Sequence, residues 1–226
     1  MKVAVIGAGA IGGMLAVRLA LSGHDVTVVD QGAHLEAIRA RGLKLIHPDG
    51  TEDSAVDLHA VASCTEAGKQ DLVLLALKAY TIGAVVPQMR ALFDEDTIVV
   101  SLQNGVPWWY FQNFNGPYAD HRLKLADPTG IIQANIEPRR IIGCVVYPAG
   151  EILAPGIVKR LEGDRFPVGE LDGTHSPRVG RVSEALIGAG LKSPVLTDIR
   201  SEIWLKLWGN MSFNPISALT HATMVD

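Results

Sequence analysis

Several features that would announce a membrane, nucleic-acid or disulfide-stapled protein are scarce or missing. Only two of the 226 residues are cysteine, Cys64 and Cys144. They lie far apart, match no metal or disulfide spacing and read as small buried residues, which fits a reducing compartment. Basic residues are not in excess, because 20 lysines and arginines face 24 acids for a formal net charge of −4. No broad cationic surface is therefore implied for nucleic acid or anionic lipid. No apolar run reaches membrane-spanning length, and the chain enters a strand within two residues of Met1, with no room for the basic and apolar segments of an export signal. Neither a repeat nor a low-complexity tract appears. These absences lead us to expect a cytoplasmic protein with no metal, no nucleic acid and no membrane among its partners.

What is present begins at Met1–Gly13, MKVAVIGAGAIGG. Val3, Ala4, Val5 and Ile6 form a short buried-strand run, interrupted by Gly7, Gly9 and Gly12 at G-x-G-x-x-G spacing, after which a helical apolar pattern starts at Met14. Gly7 permits the tight turn, Gly9 lets backbone approach a pyrophosphate, and Gly12 lets the helix pack against the strand. Ala10 and Ile11 open that helix, whose free N–H groups and dipole attract phosphate. A second apolar run, Val26 to Val29, ends at Asp30, where a Rossmann-type unit places its ribose-binding acid. The motif in this context reads as a dinucleotide site; phosphate binding without a nucleotide is the other reading.

Along the chain, Ala33 to Arg41 reads as a helix stopped at Gly42, and Leu43 to Ile46 as a strand before the turn Pro48, Asp49 and Gly50. Val56 to Val61 alternates and is expected to pair with that strand. Asp71 to Leu77 has the near-continuous apolar character of a central parallel strand, with Lys78 at its carboxyl end. Ala79 to Phe93 is helical, and Asp96 to Leu102 is a strand ending in Gln103, Asn104 and Gly105. This alternation predicts an α/β, doubly wound sheet whose ligands lie beyond the carboxyl ends of its strands, so the glycine loop, Asp30, Lys78 and Asn104 should share one crevice. Trp108 to Arg122 is irregular and aromatic, and either closes rings over a ligand or packs them beneath a long loop. Ile141 to Tyr147, Gly156 to Leu161 and Phe166 to Gly169 read as further strands of the same sheet, Ser176 to Gly190 as a helix, and Val195 to Leu196 as a short edge strand.

From Asp198, a plausible N-cap, the sequence becomes one long helix. Lys206, Asn210 and Asn214 recur every four residues and form a polar stripe beside the apolar Ile203, Leu207 and Met211. Asparagine is a mediocre helix former, and Pro215 should kink the helix and free a carbonyl near the stripe. A protonated amine beside amide side chains suits a keto-acid reductase: the amine donates a proton to the oxygen as hydride arrives, and the amides orient the carboxylate. Lys206 can be that amine.

Five segments together resemble the ketopantoate reductases (2-dehydropantoate 2-reductases): GAGAIGG, LKAY at Leu77 to Tyr80, QNG at Gln103 to Gly105, PG-x-V at Pro155 to Val158, and WLKLWGNMSFNP from Trp204. The resemblance spans essentially the whole chain and implies reduction of a branched 2-keto acid by NADPH in pantothenate synthesis. It also implies that Gly7, Gly9 and Gly12 hold the pyrophosphate, that Lys78 and Asn104 lie near cofactor and substrate, that Lys206 is the general acid, and that Asn210 and Asn214 bind substrate. A Rossmann-type domain at 1–196 would then be followed by the start of an all-helical domain at 197–226, with a homodimer as one possible assembly.

Two departures qualify this picture. NADP(H)-using relatives commonly carry an arginine after the second strand, whereas this chain has Asp30-Gln31, which would repel a 2′-phosphate and leans towards NAD(H). That leaning admits an NADH-dependent reductase of another 2-keto acid, such as the relatives yielding D-mandelate. The family also continues into helices that complete the pocket, so a chain ending at Asp226 is expected to be a fragment. Leu207, Met211, Phe213 and Leu219 would then lack partner helices. A non-catalytic dinucleotide sensor is the competing reading from another class.

Overall fold

The computed structural model describes residues 1–223, so Met224, Val225 and Asp226, the last residues of the expected helical segment, lie outside it. In chain order the elements are β1 (Lys2–Ile6), α1 (Ala10–Leu21), β2 (Asp25–Val29), α2 (Gly32–Arg41), β3 (Leu43–Ile46), β4 (Glu52–Ala55), β5 (His59–Val61) and β6 (Leu72–Leu75). They continue with α3 (Ile82–Met89), β7 (Ile98–Ser101), α4 (Ile131–Asn135), β8 (Ile141–Cys144), β9 (Ala149–Ala154), β10 (Ile157–Glu162), β11 (Val168–Glu170), α5 (Pro177–Gly188) and α6 (Ile199–Thr220).

Seven strands form one sheet in the order β11-β8-β7-β6-β1-β2-β5. All neighbours are parallel except β11 on β8. From β1 the chain winds outward through β2 and returns to β6 on the other side, which makes β1 the switch point where ligands of such sheets bind. Both faces are buried, as the near-continuous apolar strands require. Val3 and Val5 pack with Met14, Leu15 and Leu19 of α1 and Val182 and Leu186 of α5. Ala4 and Ile6, pointing the other way, pack with Ile82, Val86 and Met89 of α3, with Trp108 and Trp109, and with Ile199 and Ile203 of α6.

Four strands form a second, separate sheet, in the order β4-β3-β10-β9, where the sequence pattern predicts a single sheet. The expected pairing of Val56 to Val61 with β3 does not form: β4, the segment just before it, is the antiparallel partner of β3, and His59–Val61 instead joins the large sheet beside β2. Likewise Gly156 to Leu161 does not extend the large sheet. It becomes β10, paired with β3 and with β9, a strand the sequence pattern did not reveal. Alternation reports which face a residue takes, not which neighbour its backbone finds. Val195 makes a single bridge to Val168 rather than an edge strand with Leu196. Cys64 and Cys144 are both buried and free.

Trp108 and Trp109 are core residues, and the remaining rings of that stretch pack on one another, Phe111 lying within 6 Å of Tyr110, Phe114, Tyr118 and His121. Arg200, in the first turn of α6, ties the loop down: it donates to the carbonyls of Tyr110, Gln112 and Leu171 and lies over the Phe114 ring. Of the two readings of this stretch, packing beneath a loop is the one adopted.

Asp198 caps α6, its Oδ1 accepting from Ser201 N at 3.0 Å. The helix passes through Pro215 without a break and ends at Thr220, not beyond. Its first turns are buried at Ile199 and Ile203, whereas Trp208, Met211, Phe213 and Leu219 are all more than half exposed. Among the described residues no helix is long and apolar enough to cross a membrane.

Candidate functional site

The three glycines of the first turn are present for three different physical reasons. Gly7 has φ +90°, a conformation L side chains rarely adopt. Gly12 is fixed by packing, because a Cβ there would stand 1.9 Å from the Gly7 carbonyl oxygen and 2.9 Å from Ala76 Cβ. Gly9 has neither cause. Its φ is −57°, and a Cβ would meet nothing within 4 Å. Gly9 N–H also has no hydrogen-bond partner among the described residues. The open space beside a free N–H at the start of α1 is a cradle shaped for something outside the chain.

That space is a cavity of about 500 Å³, lined by Gly9, Ala10 and Ile11, by Leu77, Lys78 and Tyr80 after β6, by Gln103 and Asn104 after β7, and by Val146, Pro148 and Gly150 after β8. A separate cavity of about 330 Å³ has Leu77 in its wall as well, together with Gly7, Val29, Asp30 and Gln31. Gly9, Lys78 and Asn104 thus line one cavity at the strand ends, whereas Asp30 and Gly7 line a second, and Leu77 stands in the wall of both. Asp30 accepts from Ala8 N at 2.6 Å and from Gln31 N at 2.7 Å, which anchors its carboxylate against the loop. Lys78 is exposed at the cavity wall, where its carbonyl starts the turn by accepting from Thr81 N.

Lys206 reaches this region from α6. Its Nζ donates to Asn104 Oδ1 at 2.5 Å and to the Val146 carbonyl, joining the helix to the ends of β7 and β8. Burial pushes the Lys206 ammonium below the ordinary lysine value, while the Tyr147 ring lies 5.7 Å from Nζ. Tyr147 is fixed in turn: its hydroxyl donates to Glu202 Oε1 at 2.9 Å, and Glu202 pairs with Arg165. Asn210, one turn past Lys206, lines a narrow cleft with Gln103, Asn104, Gly105 and Lys206. Asn214 is exposed and lines neither of the two cavities nor this cleft. The polar stripe is real on the helix, but only its first two members meet the strand ends.

The sequence pattern assigns no site role to Gln103, Tyr147 or Glu202. Gln103 Nε2 donates to the carbonyls of Leu75 and Leu77 and its Oε1 accepts from Ser101, so it welds the ends of β6 and β7. Glu202 stands four residues before Lys206, a spacing that already places both on one helix face.

The profile of the family described as Ketopantoate reductase PanE/ApbA matches residues 3–108. A 2-dehydropantoate 2-reductase of Mesorhizobium japonicum is 52% identical over 225 residues, covering 99% of this chain and 68% of its own length. A candidate ketopantoate reductase of Ralstonia solanacearum superposes with a TM-score of 0.91 at 38% identity, over 97% of this chain and 68% of its own. A D-mandelate dehydrogenase solved with NADH and anilino(oxo)acetate shares the fold, with a TM-score of 0.77 at 23% identity, over 96% of this chain and 64% of its own. The chain belongs to the ketopantoate reductase family, dinucleotide-dependent oxidoreductases that convert 2-dehydropantoate to pantoate.

Proposed function

We propose that this chain reduces a 2-keto acid, 2-dehydropantoate first among candidates, with Lys206 as proton donor and Asn104 as the residue that holds it. The observation that carries the reading is the Lys206 ammonium, anchored on Asn104 at the edge of the cavity that the glycine loop closes at its other end. An ammonium has three donors. Two are committed to Asn104 and Val146, which leaves one N–H for a keto oxygen. As negative charge develops on that oxygen, the Lys206 proton moves to it, and partial burial strengthens the attraction. Asn210, which lines the cleft beside Lys206, is assigned to the substrate carboxylate.

The residues present fit a nicotinamide dinucleotide. Gly9, Ala10 and Ile11 offer helix N-terminal donors to a pyrophosphate, and Gly7 and Gly12 hold the turn that presents them. When bound, the dinucleotide supplies the hydride. Asp30 supports NADH over NADPH: among the described residues lining its cavity none is a lysine or arginine, and its carboxylate suits a ribose hydroxyl and repels a phosphate. The same residue favours a second reading, an NADH-dependent reductase of another 2-keto acid. Residues 1–196 would bind the dinucleotide, and 197–226 would open the helical domain.

The test is to titrate NADH and NADPH into the chain and then add 2-dehydropantoate, or an aromatic 2-keto acid, while following cofactor oxidation. Lys206→Ala should lower turnover by about 10²–10⁴ and leave dinucleotide binding intact. Equal turnover in that variant would sink the assignment of Lys206, and binding without any turnover would favour the sensor reading.

A further inference from the structure

The Pro155-Gly156 turn lies between β9 and β10, in the second sheet, yet it belongs to one of the segments that carried the family resemblance. Its geometry gives it work at the dinucleotide loop. Gly156 N–H donates to His34 Nδ1 at 3.0 Å, and His34 Nε2 lies 2.9 Å from the Ala8 carbonyl oxygen. A backbone N–H can only donate and a carbonyl can only accept, so the imidazole is the neutral tautomer with its proton on Nε2. His34, in the first turn of α2, therefore bridges the β9–β10 turn to the residue between Gly7 and Gly9.

The bridge is held firmly at the far end. Arg41 Nη2 donates to the Pro155 carbonyl at 2.7 Å, and Lys44 N donates to the Gly156 carbonyl at 2.9 Å. Gly156 has φ +76°, and a Cβ there would stand 3.1 Å from Ala37 Cβ, so the turn is seated directly on α2. At the near end, Ala8 is fully buried, with its N–H on Asp30 Oδ2 and its carbonyl on His34. In a planar trans peptide the C=O and the following N–H point in opposite directions. Holding the Ala8 oxygen on His34 thus turns the Gly9 N–H away from His34, and that is the N–H without a partner at the cavity wall.

We infer that His34 is a positioning residue for dinucleotide binding: it locks the Ala8–Gly9 peptide so that the Gly9 N–H is aimed at the pyrophosphate before the ligand arrives. This rests on the reading of the cavity as a dinucleotide site. His34 does not touch the ligand, and its contribution is preorganisation, which lowers the ordering cost of binding. The second sheet is thereby coupled to the loop, and the PG-x-V segment has a function at a distance from the chemistry.

The experiment compares His34→Gln, His34→Asn and His34→Leu with the unaltered chain, measuring Kd for NADH by titration of its fluorescence and thermal stability without ligand. The amide nitrogen of glutamine sits where Nε2 does and can still hold the Ala8 oxygen, whereas asparagine reaches only the Gly156 end. Loss of one preorganising hydrogen bond should weaken NADH roughly fivefold or more in His34→Asn and His34→Leu, with His34→Gln recovering most of the affinity. An unchanged Kd in a folded His34→Asn or His34→Leu variant overturns the inference while leaving the dinucleotide reading standing. Equal weakening in the glutamine and asparagine variants overturns it as well. An unaltered chain that binds neither NADH nor NADPH defeats both readings together.

Discussion

Alanine at Gly9 and alanine at Gly12 should do opposite things, although the two positions are three residues apart in one loop. At Gly12 the new Cβ would sit 1.9 Å from the Gly7 carbonyl oxygen and 2.9 Å from Ala76 Cβ. Backbone cannot yield cheaply, so overpacking should cost about 3 kcal/mol or more, a fall in Tm of roughly 6–12 °C for a chain of this size. At Gly9 nothing lies within 4 Å and φ is already that of an ordinary L residue. The gain from a stiffer unfolded chain, about 0.4–1 kcal/mol, opposes the poorer N-cap quality of alanine, so Tm should move little. Affinity should not be spared. The methyl group would occupy the space beside the free N–H, and one lost hydrogen bond to a charged phosphate costs about 1.5–3 kcal/mol, which weakens NADH roughly 10- to 100-fold. Thermal melts and NADH titration on both variants decide the matter. A Gly9→Ala chain that melts normally and binds NADH as tightly as before would refute the argument that Gly9 is there for a ligand.

Two further outcomes follow from the site. Burial places the Lys206 pKa below the ordinary lysine value; a general acid must be protonated, so keto-acid reduction should fall as pH rises through that depressed pKa, and hydroxy-acid oxidation should rise over the same interval. Lys206→Ala should remove this dependence and cost about 10²–10⁴ in kcat, read from pH profiles at saturating cofactor. Asp30→Asn keeps an acceptor for the Ala8 N–H but removes the charge; relief of about 1.4 kcal/mol of repulsion should improve NADPH binding relative to NADH roughly tenfold, and an unchanged ratio of the two Kd values would show that Asp30 does not select.

The local signals in the chain were strong where one residue type has one physical use. Apolar runs without alternation marked β1, β6 and β7 as strands covered on both faces, and the spacing of Gly7, Gly9 and Gly12 marked the turn between β1 and α1. The four-residue rhythm of Lys206 and Asn210 placed both on one face of α6, as found. These features depend on the chain's own covalent spacing and on the hydrophobic effect, so they are readable without coordinates.

Tertiary structure alone decided which distant backbones and side chains meet. Strand pairing is made by generic N–H and C=O groups, so nothing in the sequence announced that β10 would leave the large sheet for β3, or that His59–Val61 would join β2. Lys206 is 102 residues from Asn104 and 59 from Tyr147, and His34 is 122 from Gly156. Each pair meets only because the winding of the sheet brings strand ends and helix turns together. Sequence by itself determined that this chain would build a dinucleotide-type loop and carry a lysine on a polar helix stripe. Folding determined that Asn104 holds that lysine, that Asn214 lies outside the cavity, and that a histidine locks the loop, because those facts are distances in space rather than intervals along the chain.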